Sequence, residues 1–247
     1  MKAAAFFDLD GTLLPPPSLE RRFLRYLWWR GEMGVANWLR WSARVLLRLP
    51  FGLRHATEAN KTYYAGVRCI AAEQWTARST GFQPVRHTFA EGVERVRWHA
   101  AQGHIVFLVT GAIEPLAHWF ARACLPPGVR VVATRLEALD GQWTGRLDGP
   151  HMAGRAKALA AIELAARAGI DLQQSYAYAD RASDRWLLAA VGHPLAVNPS
   201  RALRIHARRR GWTMEQWRSP LGLTRDANRS APAPLAPGVA ERPEVRS

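Results

Sequence analysis

The chain has 247 residues, 48% of them hydrophobic, which is enough to bury one sizeable core, alone or with an insertion. Its net charge of +14 predicts a surface that attracts polyanions, acidic lipid headgroups or phosphorylated small molecules, without choosing among them. Cys69 and Cys124 lie far apart and match no metal-binding spacing, which excludes a disulfide scaffold and reads as two buried small hydrophobes in a reducing compartment. After Lys2 only Ala3 to Phe7 are apolar before Asp8, too few for a secretory signal core, and no apolar run approaches the ~18 residues of a spanning helix. A soluble cytoplasmic protein is the expectation.

The opening "MKAAAFFDLDGTLLPPPS" reads as a buried strand from Ala3 to Asp8 that ends and turns at a charged rim, where Asp8 and Asp10 are followed by Gly11 and Thr12. Two carboxylates closing an apolar run need partners. Prolines 15 to 17 then open a segment, 18 to about 85, that is helical in pattern, rich in arginine, and holds Trp28, Trp29, Trp38, Trp41 and Trp75. Within it, "NWLRWSARVLLRLPF" repeats arginine every four residues, at Arg40, Arg44 and Arg48. Two readings stay open there: a packed helix with one solvated basic stripe, or a Trp/Arg surface that touches an anionic membrane or a lipid-like substrate.

After Pro84 strands alternate with helices, which implies a parallel sheet. The predicted elements are a helix near 89–102, strand 104–110, a helix near 113–123, strand 129–134, a hairpin turning on Asp140 and Gly141, a helix near 154–168, strand 175–179, a helix from about 183, strand 194–197 and a helix at 200–210. From Ser219 the Pro/Ala/Arg-rich composition predicts a disordered tail.

Ligands of an open parallel sheet sit beyond the carboxyl ends of its strands, and the chemistry-bearing residues fall there. The i, i+2 spacing of Asp8 and Asp10 lets both carboxylates emerge at one strand end. "VTGA" offers the Thr110 hydroxyl and the amides of Gly111 and Ala112, read as opening a helix able to bind an anion. "YADRASD" places Asp180 at a strand end and Asp184 one helical turn on, and Lys157 of "GRAKAL" lies in the first turns of the preceding helix, within reach of the same rim.

Together "FFDLDGT", "FLVTG", "GRAKAL" and "YADRASD" resemble, in order and context, the four motifs of the haloacid dehalogenase-like phosphohydrolases. The resemblance runs from about Ala3 to Trp217 and is nearest the phosphoserine phosphatase-like branch, subfamily IB. It implies an α/β fold with a Rossmann-like parallel sheet: a catalytic core of residues 1–14 and 86–218, a helical cap at 15–85 inserted after the first strand, and a tail at 219–247. It also implies a magnesium-dependent phosphatase. Asp8 is then the nucleophile that forms an aspartyl-phosphate, and Asp10 the acid and base; Thr110, Gly111 and Lys157 bind the phosphoryl group. Magnesium is assigned to Asp8, Asp180 and the Asp10 carbonyl, with Asp184 orienting. Two positions depart from the pattern: Arg181 stands where a small polar residue is usual, and Ser183 where asparagine is frequent. Arg181 keeps an alternative open, a catalytically weak protein whose basic cap binds anionic lipid or nucleic acid. The expected partners are a small phosphorylated substrate and, on the second reading of the cap, an anionic membrane; no specific nucleic acid is implied. "LLPPPS" lacks the acidic residue that phosphoserine phosphatases place after their first motif, and Glu20, a turn further on, is the candidate replacement for holding a substrate amine.

Overall fold

The computed structural model describes residues 2–48, 61–78 and 87–218. The expected helical pattern at 49–60 and 79–86, and the tail from Ser219, lie outside the described residues. The chain forms β1 (Ala4–Phe7), α1 (Leu19–Trp29), α2 (Val35–Arg48), a 3-10 turn (Thr62–Tyr64), α3 (Ile70–Arg78), α4 (Ala90–Ala101), β2 (Ile105–Ile113), α5 (Glu114–Cys124) and β3 (Arg130–Thr134). It continues with β4 (Leu136–Leu139), β5 (Gln142–Leu147), α6 (Arg155–Ala168), β6 (Tyr176–Ala179), α7 (Arg185–Ala189), β7 (His193–Val197), α8 (Arg201–Arg210) and β8 (Thr213–Glu215).

Six strands form one parallel sheet in the order β3-β2-β1-β6-β7-β8. The inner strands β1, β2, β6 and β7, largely buried on both faces, read as near-continuous apolar runs, and their alternation divides side chains between two cores. Phe7, Leu108, Tyr178 and Val197 pack toward α4 and α5, while Phe6, Phe107, Val109 and Ala179 pack toward α6, α7 and α8. Phe7 stacks on Tyr178 at 4.3 Å and Phe6 on Phe107 at 5.2 Å, fixing the register of the three central strands. Successive strands leave β1 in one direction as β2 and β3 and in the other as β6, β7 and β8, so the order reverses between β1 and β6. A crevice opens beyond such a reversal.

The hairpin turns where the sequence places it, with Asp140 and Gly141 at φ 49° and 75°, the left-handed pair that a tight two-residue turn requires. It holds the segment after the 3-10 turn edge-on: Trp143 N donates to Val67 O (2.9 Å) and Gly66 N to Trp143 O (2.9 Å). An aromatic cluster of Phe23, Tyr64, Trp75 and Trp143 then joins α1, α3 and the hairpin.

Three readings change. β2 continues past Thr110 to Ile113, with its register on β3 shifting between those residues, so "VTGA" forms an irregular strand end and α5 begins only at Glu114. The helix expected from about 183 is a short 3-10 turn followed by the five residues of α7. β8, only three residues long, was not foreseen and extends the sheet through Glu215. Among the described residues no helix is long and apolar enough to cross a membrane.

Candidate active site

β1 and β6 lie side by side at the reversal, and Asp8 N donates to Tyr178 O at 2.9 Å just beyond their last paired residues. Asp8 and Asp180 therefore leave adjacent strand ends toward the same crevice. Gly11 makes the approach possible: its φ is +95°, and a Cβ there would lie 2.1 Å from Asp180 Oδ2. No residue with a side chain fits that turn without displacing the carboxylate.

Lys157, carried in by the first turn of α6, is buried and bridges two acids, at 2.5 Å from Asp8 Oδ1 and 3.0 Å from Asp184 Oδ1. Burial opposes its charge, but Asp184 and Asp8 together outweigh that and raise its pKa. Asp8 Oδ2 accepts from the Thr12 hydroxyl at 3.3 Å. Asp10, on the same cleft, accepts from the backbone N–H of Leu19 at 2.7 Å, which ties the turn after β1 to the start of α1. Burial, only partly offset by that N–H, raises Asp10 to about 7.

Asp180 is raised to about 8, chiefly by burial and then by repulsion from Asp8, and Asp184 is raised by the same two causes. Carboxyl oxygens of Asp8, Asp180 and Asp184 lie within 4.8 Å of one another. Asp180 Oδ1 is buried and accepts no hydrogen bond. A buried acceptor without a donor is costly; a hard divalent cation held by oxygen ligands removes the cost and the repulsion together. The residues present therefore fit a divalent cation. Arg181 does not take its place: the exposed guanidinium approaches Oδ2 of Asp180, with Nε at 3.7 Å, and leaves Oδ1 unpaired.

The crevice is a cleft of about 220 Å³ lined by Asp8, Asp10, Thr110, Gly111, Lys157 and Asp184 among others, so the sequence-predicted site residues Asp8, Asp10, Thr110, Gly111, Lys157, Asp180 and Asp184 gather at one rim. The reading of "VTGA" needs one correction. The Ala112 amide donates to Thr110 Oγ1 at 3.1 Å within the bent end of β2, so this end is no helix opening and the Ala112 amide is already engaged.

Five cleft residues escape sequence reasoning: Ser18, Lys61, His151, Met152 and Ala153. Lys61 is buried and pairs with Glu20, whose other oxygen accepts from the Tyr63 hydroxyl at 2.9 Å. Glu20 thus reaches the cleft wall as expected, but its carboxylate is occupied. His151 stands beside Gly111 and is held neutral, its pKa lowered to about 4 by burial and then by Lys61. No spacing signals these residues, because folding alone joins residues 20, 61 and 151.

A reversing parallel sheet thus carries an acidic, lysine-bridged cluster at its switch point. The profile of the haloacid dehalogenase-like hydrolases matches residues 5–189. A Mycobacterium tuberculosis protein named as a probable phosphatase is 31% identical over 244 residues, covering 97% of this chain and 82% of its own. A Bordetella pertussis crystal structure of a protein described as having unknown function superposes with a TM-score of 0.70 at 30% identity, over 87% of this chain and 98% of that one. A phosphoserine phosphatase structure, a phospho-aspartyl intermediate analogue, shares the fold with a TM-score of 0.60 at 18% identity, over 89% of this chain and 95% of that one. The chain belongs to the haloacid dehalogenase-like hydrolase family and groups with the phosphatases of that family.

Proposed function

We propose that the protein hydrolyses a small phosphate monoester in two steps through an aspartyl-phosphate on Asp8, with magnesium as cofactor. The observation that carries the proposal is the rim where Asp8 is gripped by Lys157 at 2.5 Å beside an Asp180 oxygen that lacks any partner. Asp8, the Asp10 carbonyl and Asp180 would hold the ion, with Asp184 positioned by Lys157. When bound, the ion supplies positive charge against the phosphoryl oxygens and the acidic cluster.

Asp8 attacks phosphorus while the bond to the leaving oxygen breaks, and Asp10, fixed by the Leu19 N–H, gives that oxygen its proton. Water then attacks the same phosphorus, Asp10 takes the water's proton, and the Asp8 carboxylate is released with inorganic phosphate. Lys157 and the Thr110 hydroxyl face the equatorial phosphoryl oxygens, whose charge dominates phosphoryl transfer.

The division into a core at 1–14 and 86–218 and a cap at 15–85 belongs to the same proposal. It is supported by Ser18, Glu20 and Lys61, which wall the cleft from the cap side, in the manner of a lid that selects the leaving group. With Glu20 neutralised by Lys61 and Tyr63, the wall offers no free carboxylate to an ammonium group, so the favoured substrate is a phosphomonoester without an amine beside the ester. The unpaired cysteines are consistent with a cytoplasmic setting. Release of phosphate from an aryl phosphate, with magnesium and after its chelation, is the test. Magnesium-dependent turnover is expected, and metal-independent turnover or none contradicts the proposal.

A further inference from the structure

The inward side of α2 is set by Asn37, buried and donating to Tyr63 O (3.0 Å) and Ala65 O (2.9 Å), with Trp41 and Val45 following at four-residue intervals. A surface helix that buries this side ordinarily turns polar residues outward. Here the opposite face is apolar: Val35, Leu39, Leu46 and Leu47 are 64%, 65%, 69% and 77% exposed. Exposed Arg40 and Arg44 run along one flank. At the end of α1, Trp28 and Trp29 also stand in solvent, and a groove lined by Arg21, Leu24, Arg25, Trp28 and Trp38 makes the two helices one surface.

The acidic residues of this hairpin are both engaged elsewhere, Glu20 by Lys61 and Glu32 by Arg68. Among the described residues no carboxylate pairs with Arg40 or Arg44. The surface therefore joins an apolar ridge, interfacial tryptophans and net positive charge. A second copy docked on it would set arginine against arginine. A nucleic acid would take the charge and leave the leucines in water.

We propose that the outer face of the α1–α2 hairpin docks on an anionic membrane surface. Leucine and valine side chains enter the boundary of the acyl region, tryptophans sit at headgroup level, and arginines reach up to lipid phosphates. The helix lies in the plane of the interface and does not cross it. This inference stands whether or not the hydrolase reading does, because none of its residues belongs to the cleft's acidic rim.

The test is co-sedimentation of the full chain with phosphatidylcholine vesicles and with mixed phosphatidylcholine–phosphatidylglycerol vesicles, at low and high salt. Binding is expected to the mixed vesicles only, weakened by salt. R40Q/R44Q should weaken it by about tenfold or more at low salt, and L39Q/L46Q/L47Q should abolish it, while both variants keep wild-type melting and aryl phosphate hydrolysis. Failure of the wild-type chain to pellet with mixed vesicles at low salt overturns the proposal. So does binding indifferent to the three leucines, which would be charge attraction alone, or a leucine-dependent dimer that forms without lipid. Tighter binding to a nucleic acid duplex, equally indifferent to the leucines, assigns the face to that partner instead.

Discussion

Replacing Gly11 with alanine should cripple the site without removing any reactive group. The new Cβ would lie 2.1 Å from Asp180 Oδ2, so the carboxylate must retreat by about 1 Å before contact becomes tolerable. The φ of +95° adds strain for any L side chain, of order 1–3 kcal/mol, equivalent to a fall in melting temperature of about 2–12 °C in a chain of this size. A displacement near 1 Å at a reacting centre costs on the order of 100-fold in rate, and a displaced Asp180 also loosens the oxygen cluster that fits a divalent cation. Phosphate release should be measured against magnesium concentration, together with the rise in melting temperature that magnesium produces. The variant should need roughly tenfold more magnesium, a shift equivalent to about 1.4 kcal/mol, and turn over at least about 100-fold more slowly. A folded variant with wild-type magnesium dependence and rate would refute the assignment of Asp180. One that lost only melting temperature would show that Gly11 serves the turn and not the site.

Asp8→Asn should lower turnover by about 1,000-fold or more with unchanged circular dichroism, since it removes the proposed nucleophile at nearly constant volume; substantial residual activity would count against Asp8. Asp10→Asn should accumulate phosphoenzyme that hydrolyses slowly, and rapid dephosphorylation in single-turnover experiments would assign the base elsewhere. Lys61→Met frees the Glu20 carboxylate and should raise the kcat/KM of an ammonium-bearing phosphomonoester relative to an amine-free one; an unchanged ratio would remove Glu20 and Lys61 from substrate selection. Far from the site, His99 is buried between His104 (2.8 Å) and the Tyr178 hydroxyl (2.7 Å), and burial, His104 and Arg95 lower its pKa to about 3. A histidine depressed in the folded state contributes fully above its unfolded pKa near 6.5 and loses that contribution as pH falls toward 3, at about 1.4 kcal/mol per unit. Denaturant titrations of His99→Gln should show a pH slope shallower by about that amount between pH 4 and 6, and an unchanged slope would rule out His99 as the proton acceptor.

The strands and the acids at their ends were legible because both are local signals. A short apolar run ending in Asp8, or in "YAYAD", marks a strand and its carboxyl end at once, and a parallel sheet brings those ends together whatever lies between them. Lys157 could be placed because it sits one helix ahead of Asp180. Thr110 was found, but the form of its turn was not: the Thr110 hydroxyl caps the Ala112 amide and the strand runs on to Ile113, a tertiary choice that "VTGA" does not encode. Lys61 and His151 were invisible for the same reason, since only the fold brings residues so far apart in the chain to one cleft. Glu20 was seen, but its pairing with Lys61 and Tyr63 required the fold. The arginine stripe of α2 was legible as a period of four; that the leucines beside it face solvent was not, because the buried side is set by Asn37 bonding to residues 26 and 28 positions away.

Covalent chemistry at Asp8 can be seen directly by mass spectrometry of the acid-quenched enzyme after mixing with excess aryl phosphate and magnesium. One added phosphoryl group is expected on the peptide carrying Asp8, appearing within a turnover, absent from Asp8→Asn and persistent in Asp10→Asn. Steady magnesium-dependent turnover with no such adduct in Asp10→Asn, or with the phosphoryl group on another residue, would contradict it.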